Sequence, residues 1–335
     1  VMRVEARAKT NLFLDVLGRY QDGFHALASL IVRLSLADSV ELCVSEGPGA
    51  ITFECQLSTP LNRHMQAWEE ERPTEASAAK QALFAGNLAV KAARCFLERA
   101  GLEQNIDIRI EKRIPLAAGL GGGSADAAAV LSILNKYFPE ALSYDELIEI
   151  GFGLGTDVPV LLKEEPQVVL GRGEKFFAAS SFSEWRELHA ALSRYRSVIL
   201  LKPPIGSETA AAYAEARNYY VDLPTPGREL YGQGEEIMLE KWRSSVQAGS
   251  SSFALKHFLE NSFQQLELPC SSYLERAYRL LSGADGVVLS GSGSAVVGFF
   301  SSAASRQASL ERLEKENGWF VCASDLRLDG SSNEM

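Results

Sequence analysis

Mixed α and β structure in two domains is what this sequence predicts, and three observations carry it. The 335 residues exceed a usual domain of roughly 100 to 200 residues. An alternating apolar stretch at Ile106, Ile108 and Ile110 leads into a run of helix formers, SADAAAVLSILNKY at 124–137. After Pro166 the pattern changes to short strands and helices. Domains are therefore expected over 1–165 and 166–328, with a disordered tail at 329–335.

In chain order, residues 2–16 alternate and then run apolar through Leu12, Phe13, Leu14 and Val16, which suits a strand. A turn is expected at Asp22-Gly23, then strands over 31–42 and 51–57. Residues 59–86 are polar and charged around Trp68-Glu69-Glu70-Glu71-Arg72-Pro73. They read as a surface insertion, partly helical or mobile, whose acidic run is a solvated face. A helix over 87–100 precedes the strand at 105–111. A second helix over 143–154 has Ser143 as N-cap and Glu146 as its capping-box partner. Strands at 168–170, 197–201 and 286–290 follow, then a Gly-Ser-Gly turn and a strand into Phe300.

Composition narrows the function. Forty-six per cent hydrophobic and 23% charged residues describe a globular chain. The net charge of −10 opposes a nucleic-acid surface, which needs Lys and Arg to displace counterions. Cys43, Cys55, Cys95, Cys270 and Cys322 are odd in number and lack CxxC spacing, so neither a disulfide framework nor a zinc site is indicated. No apolar run reaches about 18 residues and no leader pattern opens the chain. The reading is a cytoplasmic protein with no membrane, nucleic-acid or protein partner implied.

The chemistry gathers where strand meets helix. Four glycines occupy five positions, Gly119 to Gly123, ahead of Ser124. Glycine lets successive backbone N–H groups converge, and a helix N-terminus adds its own unpaired N–H groups and positive dipole end. A polyphosphate suits such a loop; close helix-to-strand packing is the plainer use of the same glycines. Two known loops are excluded by spacing. Gly123 is followed by Ser124-Ala125 rather than by Lys-Ser or Lys-Thr, and no acid stands at a strand end some 20 residues on.

The stretch PLAAGLGGGSADAAA resembles the phosphate loop of the galactokinase, homoserine kinase, mevalonate kinase and phosphomevalonate kinase superfamily. Ala8-Lys9-Thr10-Asn11-Leu12-Phe13-Leu14 resembles its first motif, and Leu289-Ser290-Gly291-Ser292-Gly293-Ser294-Ala295 its third. Within it, the first motif with Gly18-Arg19-Tyr20-Gln21-Asp22-Gly23-Phe24-His25, together with Leu154-Gly155-Thr156-Asp157-Val158-Pro159 and Gly171-Arg172-Gly173-Glu174, is similar to the 4-diphosphocytidyl-2-C-methyl-D-erythritol kinase family. The matches span about residues 3–300. Ala125 stands where a second serine is usual, Thr156 where alanine is usual and Phe24 where tyrosine is usual; the segment at 59–86 is longer than expected.

The resemblance implies an α+β fold, an N-terminal domain akin to ribosomal protein S5 domain 2 and a C-terminal ferredoxin-like domain, with the active site in the cleft between them. It implies ATP and Mg²⁺, and phosphorylation of the 2-hydroxyl of a cytidine diphosphate-linked methylerythritol in non-mevalonate isoprenoid synthesis. Pro115, Leu116, Ala117, Ala118, Gly119, Leu120, Gly121, Gly122, Gly123, Ser124 and Ala125 would hold the ATP phosphates; Ser124 as a simple helix N-cap is compatible with that. Asp157 would take the acceptor proton, its plainer alternative being an N-cap. Lys9, in an apolar strand, needs an anionic partner, for which Asp157 is the expected one; a snorkelling lysine is the alternative. Asn11, Phe24 and His25 would contact substrate, Phe24 by stacking on the base, or else Phe24 and His25 are core. Metal ligands are unassigned: Glu146 and Glu149 read as solvated helix surface, and His64, His189 and His257 lack ligand spacing. A kinase of the same superfamily acting on another small alcohol, and a non-catalytic nucleotide or metabolite sensor, are the competing readings.

Overall fold

A computed structural model describes residues 1–20, 25–206, 236, 240, 255–267 and 271–330. The expected Asp22-Gly23 turn, Phe24, Cys270 and residues 331–335 of the expected tail lie outside the described residues. The chain divides into two units: Val1–Ala8, Leu36–Leu116 and Gly121–Glu164 form the first; Lys9–Ser35, Ala117–Leu120 and Glu165–Met335 the second. Sequence reading cuts the chain once, near 165, whereas these units also exchange two earlier pieces of it. Two long strands, β1 (Met2–Arg19) and β2 (His25–Glu46), contribute to both.

In the first unit β2 pairs antiparallel with β4 (Gln104–Lys112), which pairs parallel with β3 (Ile51–Leu57). Ile106, Ile108 and Ile110 are buried while Asp107 and Arg109 face out, as the alternation predicts. Parallel neighbours need a crossover, and here three helices make it: α1 (Thr59–Glu71), α2 (Pro73–Ala85) and α3 (Leu88–Ala100). Asn87 caps α3 by accepting from the N–H groups of Ala89 and Val90, and Gly101 ends it in the left-handed region. The alanines of α4 (Gly122–Tyr137) share one core with Ala89, Ala92, Ala93 and Phe96 of α3 and with the isoleucines of β4. Then come α5 (Tyr144–Leu154), with the predicted Ser143–Glu146 capping box, and α6 (Asp157–Leu161). Glu146 and Glu149 both pair with Arg99 on the surface.

The segment at 59–86 is more ordered than its composition suggests. Pro73 cannot continue α1, and the residue before a proline leaves the helical region, so the run breaks at Arg72 and restarts as α2. Leu61, His64, Met65 and Trp68 recur at helical spacing and are buried, Trp68 completely. The acidic run flanking Trp68 stays on the outside at Glu70 and Glu71, as read from sequence.

In the second unit, β5 (Gln167–Gly171) pairs with the start of β2 and with β6 (Lys175–Ala178). Strands β7 (Ser197–Lys202), β9 (Gly286–Leu289), β10 (Val296–Phe300) and β11 (Phe320–Arg327) form an antiparallel set in the order β11-β7-β10-β9, while β8 (Glu260–Asn261) pairs parallel with β1. Among the described residues its helices are α7 (Trp185–Leu192), α8 (Leu255–Phe258), α9 (Ser262–Glu267), α10 (Ser272–Leu280) and α11 (Ala303–Leu313). Leu274, Ala277, Leu281 and Leu313 close a core with Ile199, Leu201, Leu289 and Val296. Asp329, at the start of the expected tail, accepts from His189 at 2.8 Å and Arg196 at 2.9 Å. No helix among the described residues is long and apolar enough to cross a membrane.

Emptying the centre of the α1 stripe should be far more damaging than trimming its acidic rim. Trp68→Ala is expected to lose about 3–5 kcal/mol of stability and Glu70→Ala less than about 0.5 kcal/mol, read from denaturant unfolding.

Candidate active site

Three stretches far apart in sequence meet within the second unit. The Lys9 N–H donates to Leu120 O at 3.0 Å, and the Ala295 N–H to Ala118 O at 3.1 Å. Ser290 Oγ donates to Gly119 O at 3.0 Å. First and third motifs thus hold three consecutive carbonyls of the glycine loop. Gly119 has a φ of +71°, and a Cβ there would stand 2.0 Å from Ser290 O, so only glycine fits. Ala117 takes the same left-handed region with a φ of 47° despite its methyl group, a strained and exposed point of the loop.

Lys9 is buried, and its ammonium donates to Asn11 Oδ1 at 2.9 Å. Asn11 Nδ2 donates to Ser29 Oγ at 2.7 Å, and that hydroxyl donates to Phe13 O at 2.7 Å. Asn11, expected to touch substrate, has both ends of its amide engaged in aiming Lys9. The Lys9 ammonium lies beside the third motif, 3.3 Å from where a Cβ on Gly291 would sit. Asn261 anchors that motif by donating to Leu289 O and Gly291 O, each at 2.7 Å. His25 is buried at the start of β2. The Gly171-Arg172-Gly173-Glu174 stretch turns β5 into β6 and sets the Arg172 guanidinium 4.5 Å from the centre of the Tyr20 ring.

In the first unit the helix after the loop starts at Gly122, two residues before its expected start, with Gly121 as N-cap. Ser124 is therefore inside the first turn, which rules out its reading as the N-cap. By helix geometry the first-turn N–H groups have no partner within the helix, the condition for an anion to be held there. Ser124 Oγ lies 4.0 Å from where a Cβ on Gly155 would sit. Gly155 leads to Thr156, the N-cap of α6, and to half-buried Asp157, its first residue. The N-cap reading of Asp157 is thus also corrected. Lys9 and Asp157 belong to different units.

Beneath the loop is a cluster that the sequence reading passed over. Lys112 continues the inward phase of Ile106, Ile108 and Ile110, so its ammonium is buried; that phase was the available signal. It donates to Asp38 and, at 2.8 Å, to Asp126 of α4. Asp38 also accepts the N–H groups of Arg113 and Ile114, fixing the backbone where the loop departs. A Cβ on Gly122 would lie 3.2 Å from Lys112 Nζ, which puts the ammonium directly under the first turn. Burial works against the charge on Lys112, yet Asp126 and Asp38 raise its pKa above the ordinary value. Burial raises Asp126 from 3.8 to about 7, with Lys112 opposing and Asp38 reinforcing the shift.

Among the described residues no group of three or more His, Cys, Asp or Glu side chains could hold a metal ion.

Residues 87–163 match the GHMP kinases N terminal domain. The chain is 32% identical over 329 residues to a 4-diphosphocytidyl-2-C-methyl-D-erythritol kinase of Heliobacterium modesticaldum, covering 95% of this chain and 92% of that one. It is 31% identical to the enzyme of that name from Syntrophotalea carbinolica, covering 94% and 95% respectively. Among solved structures it is similar to a 4-(cytidine 5'-diphospho)-2C-methyl-D-erythritol kinase, with 27% identity, a TM-score of 0.66, and coverage of 97% of this chain and 99% of the other. A mevalonate kinase of L. major, 14% identical with a TM-score of 0.66 and covering 99% of this chain and 97% of its own, shares the fold.

The raised Asp126 pKa has a definite sign in stability. Between pH 3.8 and about 7 the folded chain holds a proton that the unfolded chain has released. This contribution is full below 3.8 and is lost as pH rises through about 7. Asp126→Asn should flatten that part of the stability profile, measured by urea unfolding across the interval. Lys112→Met strands two buried carboxylates and is expected to lose about 3–5 kcal/mol.

Proposed function

The chain belongs to the 4-diphosphocytidyl-2-C-methyl-D-erythritol kinase family of the GHMP kinases, and from that premise we propose that it transfers the γ-phosphoryl group of ATP to the 2-hydroxyl of 4-diphosphocytidyl-2-C-methyl-D-erythritol. It is an ATP-dependent small-molecule kinase; acceptor, hydroxyl and residue roles are our reading. The observation that carries it is the joining of the first and third motifs to three consecutive carbonyls of the glycine loop. Phosphoryl transfer asks a protein chiefly to fix phosphates and acceptor in line and to offset charge on the moving group.

In this reading residues 115–125 hold the ATP phosphates through backbone N–H groups, with Ser124 Oγ adding a donor. Bound Mg²⁺ would neutralise charge on the β- and γ-phosphates. Asp157 takes the proton from the acceptor hydroxyl. Lys9, aimed by Asn11, orients that base and the acceptor hydroxyl. Phe24 and His25 receive the cytosine, the first by stacking and the second at the base edge. The reaction is assigned to the cytoplasm and to isoprenoid precursor synthesis. The antiparallel set β11-β7-β10-β9 with α10 and α11 supports the ferredoxin-like reading of the C-terminal half.

Release of ADP from MgATP is measured with 4-diphosphocytidyl-2-C-methyl-D-erythritol beside mevalonate, homoserine and galactose. Turnover with the cytidyl substrate alone is expected. Turnover with another acceptor only would overturn the substrate, and ATP binding with no ADP release from any would favour a sensor. Asp157→Asn should lower kcat by about 10²–10⁴-fold with ATP binding kept; full turnover in that variant would remove the general base.

A further inference from the structure

Asp126 takes no part in the transfer proposed above, yet the residue is 1% exposed and stands one helical turn beyond Gly122. Two carboxylates share one ammonium in this cluster. With both ionised the group carries a net charge of −1; with one proton added it is neutral. The two carboxylates are unlike. Asp38 accepts from two backbone N–H groups on one oxygen and from Lys112 on the other. Asp126 accepts from Lys112 on Oδ2, while its buried Oδ1 has no hydrogen-bond partner among the described residues. An ionised oxygen with no donor in a dry site is the costly one, so a proton is best accommodated on Asp126.

The other surfaces near Asp126 supply little charge. α3 contributes Ala89, Ala92 and Ala93 to the shared core, α5 contributes Leu147, and α6 contributes Val158 and Leu161. From β3, Cys55 is in electrostatic reach of Lys112, Asp126 and Asp38, and burial pushes its thiol up to about 12, so it stays neutral. Lys112 from β4 and Asp38 from β2 are the charged groups facing the carboxyl. An anion arriving at the first turn of the same helix adds negative potential in a poorly screened interior, and that favours the protonated form of a nearby carboxyl.

We propose that Asp126 takes up a proton on its Oδ1 from solvent when MgATP occupies the loop, so that the grip of the first turn of α4 on phosphate is linked to pH through a buried group that never touches the nucleotide. The proposal rests on the reading of residues 115–125 as the phosphate site. Asp126 is a positioning residue: ionised, it leaves one negative charge under the phosphates; protonated, it leaves none. The ordinary ionisation of Asp126, raised by burial to about 7, lies where such coupling is felt near neutral pH.

MgATP binding is followed by calorimetry in two buffers of different ionisation enthalpy, for the full chain and for Asp126→Asn. Proton uptake is expected in the wild-type chain in excess of the variant, which subtracts titration of the nucleotide itself. Wild-type affinity should fall with rising pH more steeply than that of the variant, by at most about tenfold per pH unit for one proton. Equal uptake and equal slopes would overturn the proposal. Failure of the wild-type chain to bind MgATP would overturn the loop reading, and the proposal with it. If Asp126→Asn does not fold, the infrared difference spectrum of wild-type chain labelled with ¹³C-aspartate decides. A carboxylic-acid band shifted by the label and rising on MgATP binding supports the proposal; its absence overturns it.

Discussion

One buried ammonium ties together the three elements on which the glycine loop depends. Lys112 ends β4, Asp38 comes from β2 and Asp126 from α4, and all three are closed to solvent. A buried ion pair is a poor source of net stability, since desolvation consumes most of the attraction. Its value here is geometric. Asp38 pins the backbone at Arg113 and Ile114, and Asp126 pins the helix at the far side of the loop. An apolar trio could be as stable and would leave the two ends of the loop free to slide.

The rest of the loop is built from backbone. Its carbonyls at Ala118, Gly119 and Leu120 are occupied by donors from the first and third motifs. Those residues belong to the second unit, whereas Gly121 to Ala125 open α4 in the first. Strands β1 and β2 pass between units as well, at Ala8–Lys9 and Ser35–Leu36. The proposed pair of reacting groups is divided in the same way, Lys9 in one unit and Asp157 in the other. The proposed chemistry is thus assembled from pieces of chain that each unit keeps rigid for its own reasons: Asn11 and Ser29 for the lysine, the short α6 for the aspartate.

Local pattern made much of this legible. The period of two in β4, the alanine run of α4 and the Ser143–Glu146 box each specify their element within a few residues, and the structure follows them. Motif resemblance found the loop and both flanking motifs, though it could not say that Asn11 aims Lys9, because that depends on Ser29 across the sheet. Asn261 was out of reach for the same reason: its partners Leu289 and Gly291 are close only after folding. Lys112 was legible and missed, since a charged residue at an inward strand position demands buried partners. Residues 59–86 were legible as partly helical with a solvated acidic run, but composition hid the stripe of Leu61, His64, Met65 and Trp68 that buries one face of α1.

The crossover from β3 to β4 carries a helical hairpin, α1 and α2, before the α3 that covers the sheet. The entropy lost in closing a long connection grows only with the logarithm of its length, about 0.6 kcal/mol for each doubling. Once α1 supplies its own buried stripe, the hairpin recovers such a loss locally. Crossover length is thereby nearly decoupled from the stability of the strands it joins, and from the register of β3 on β4.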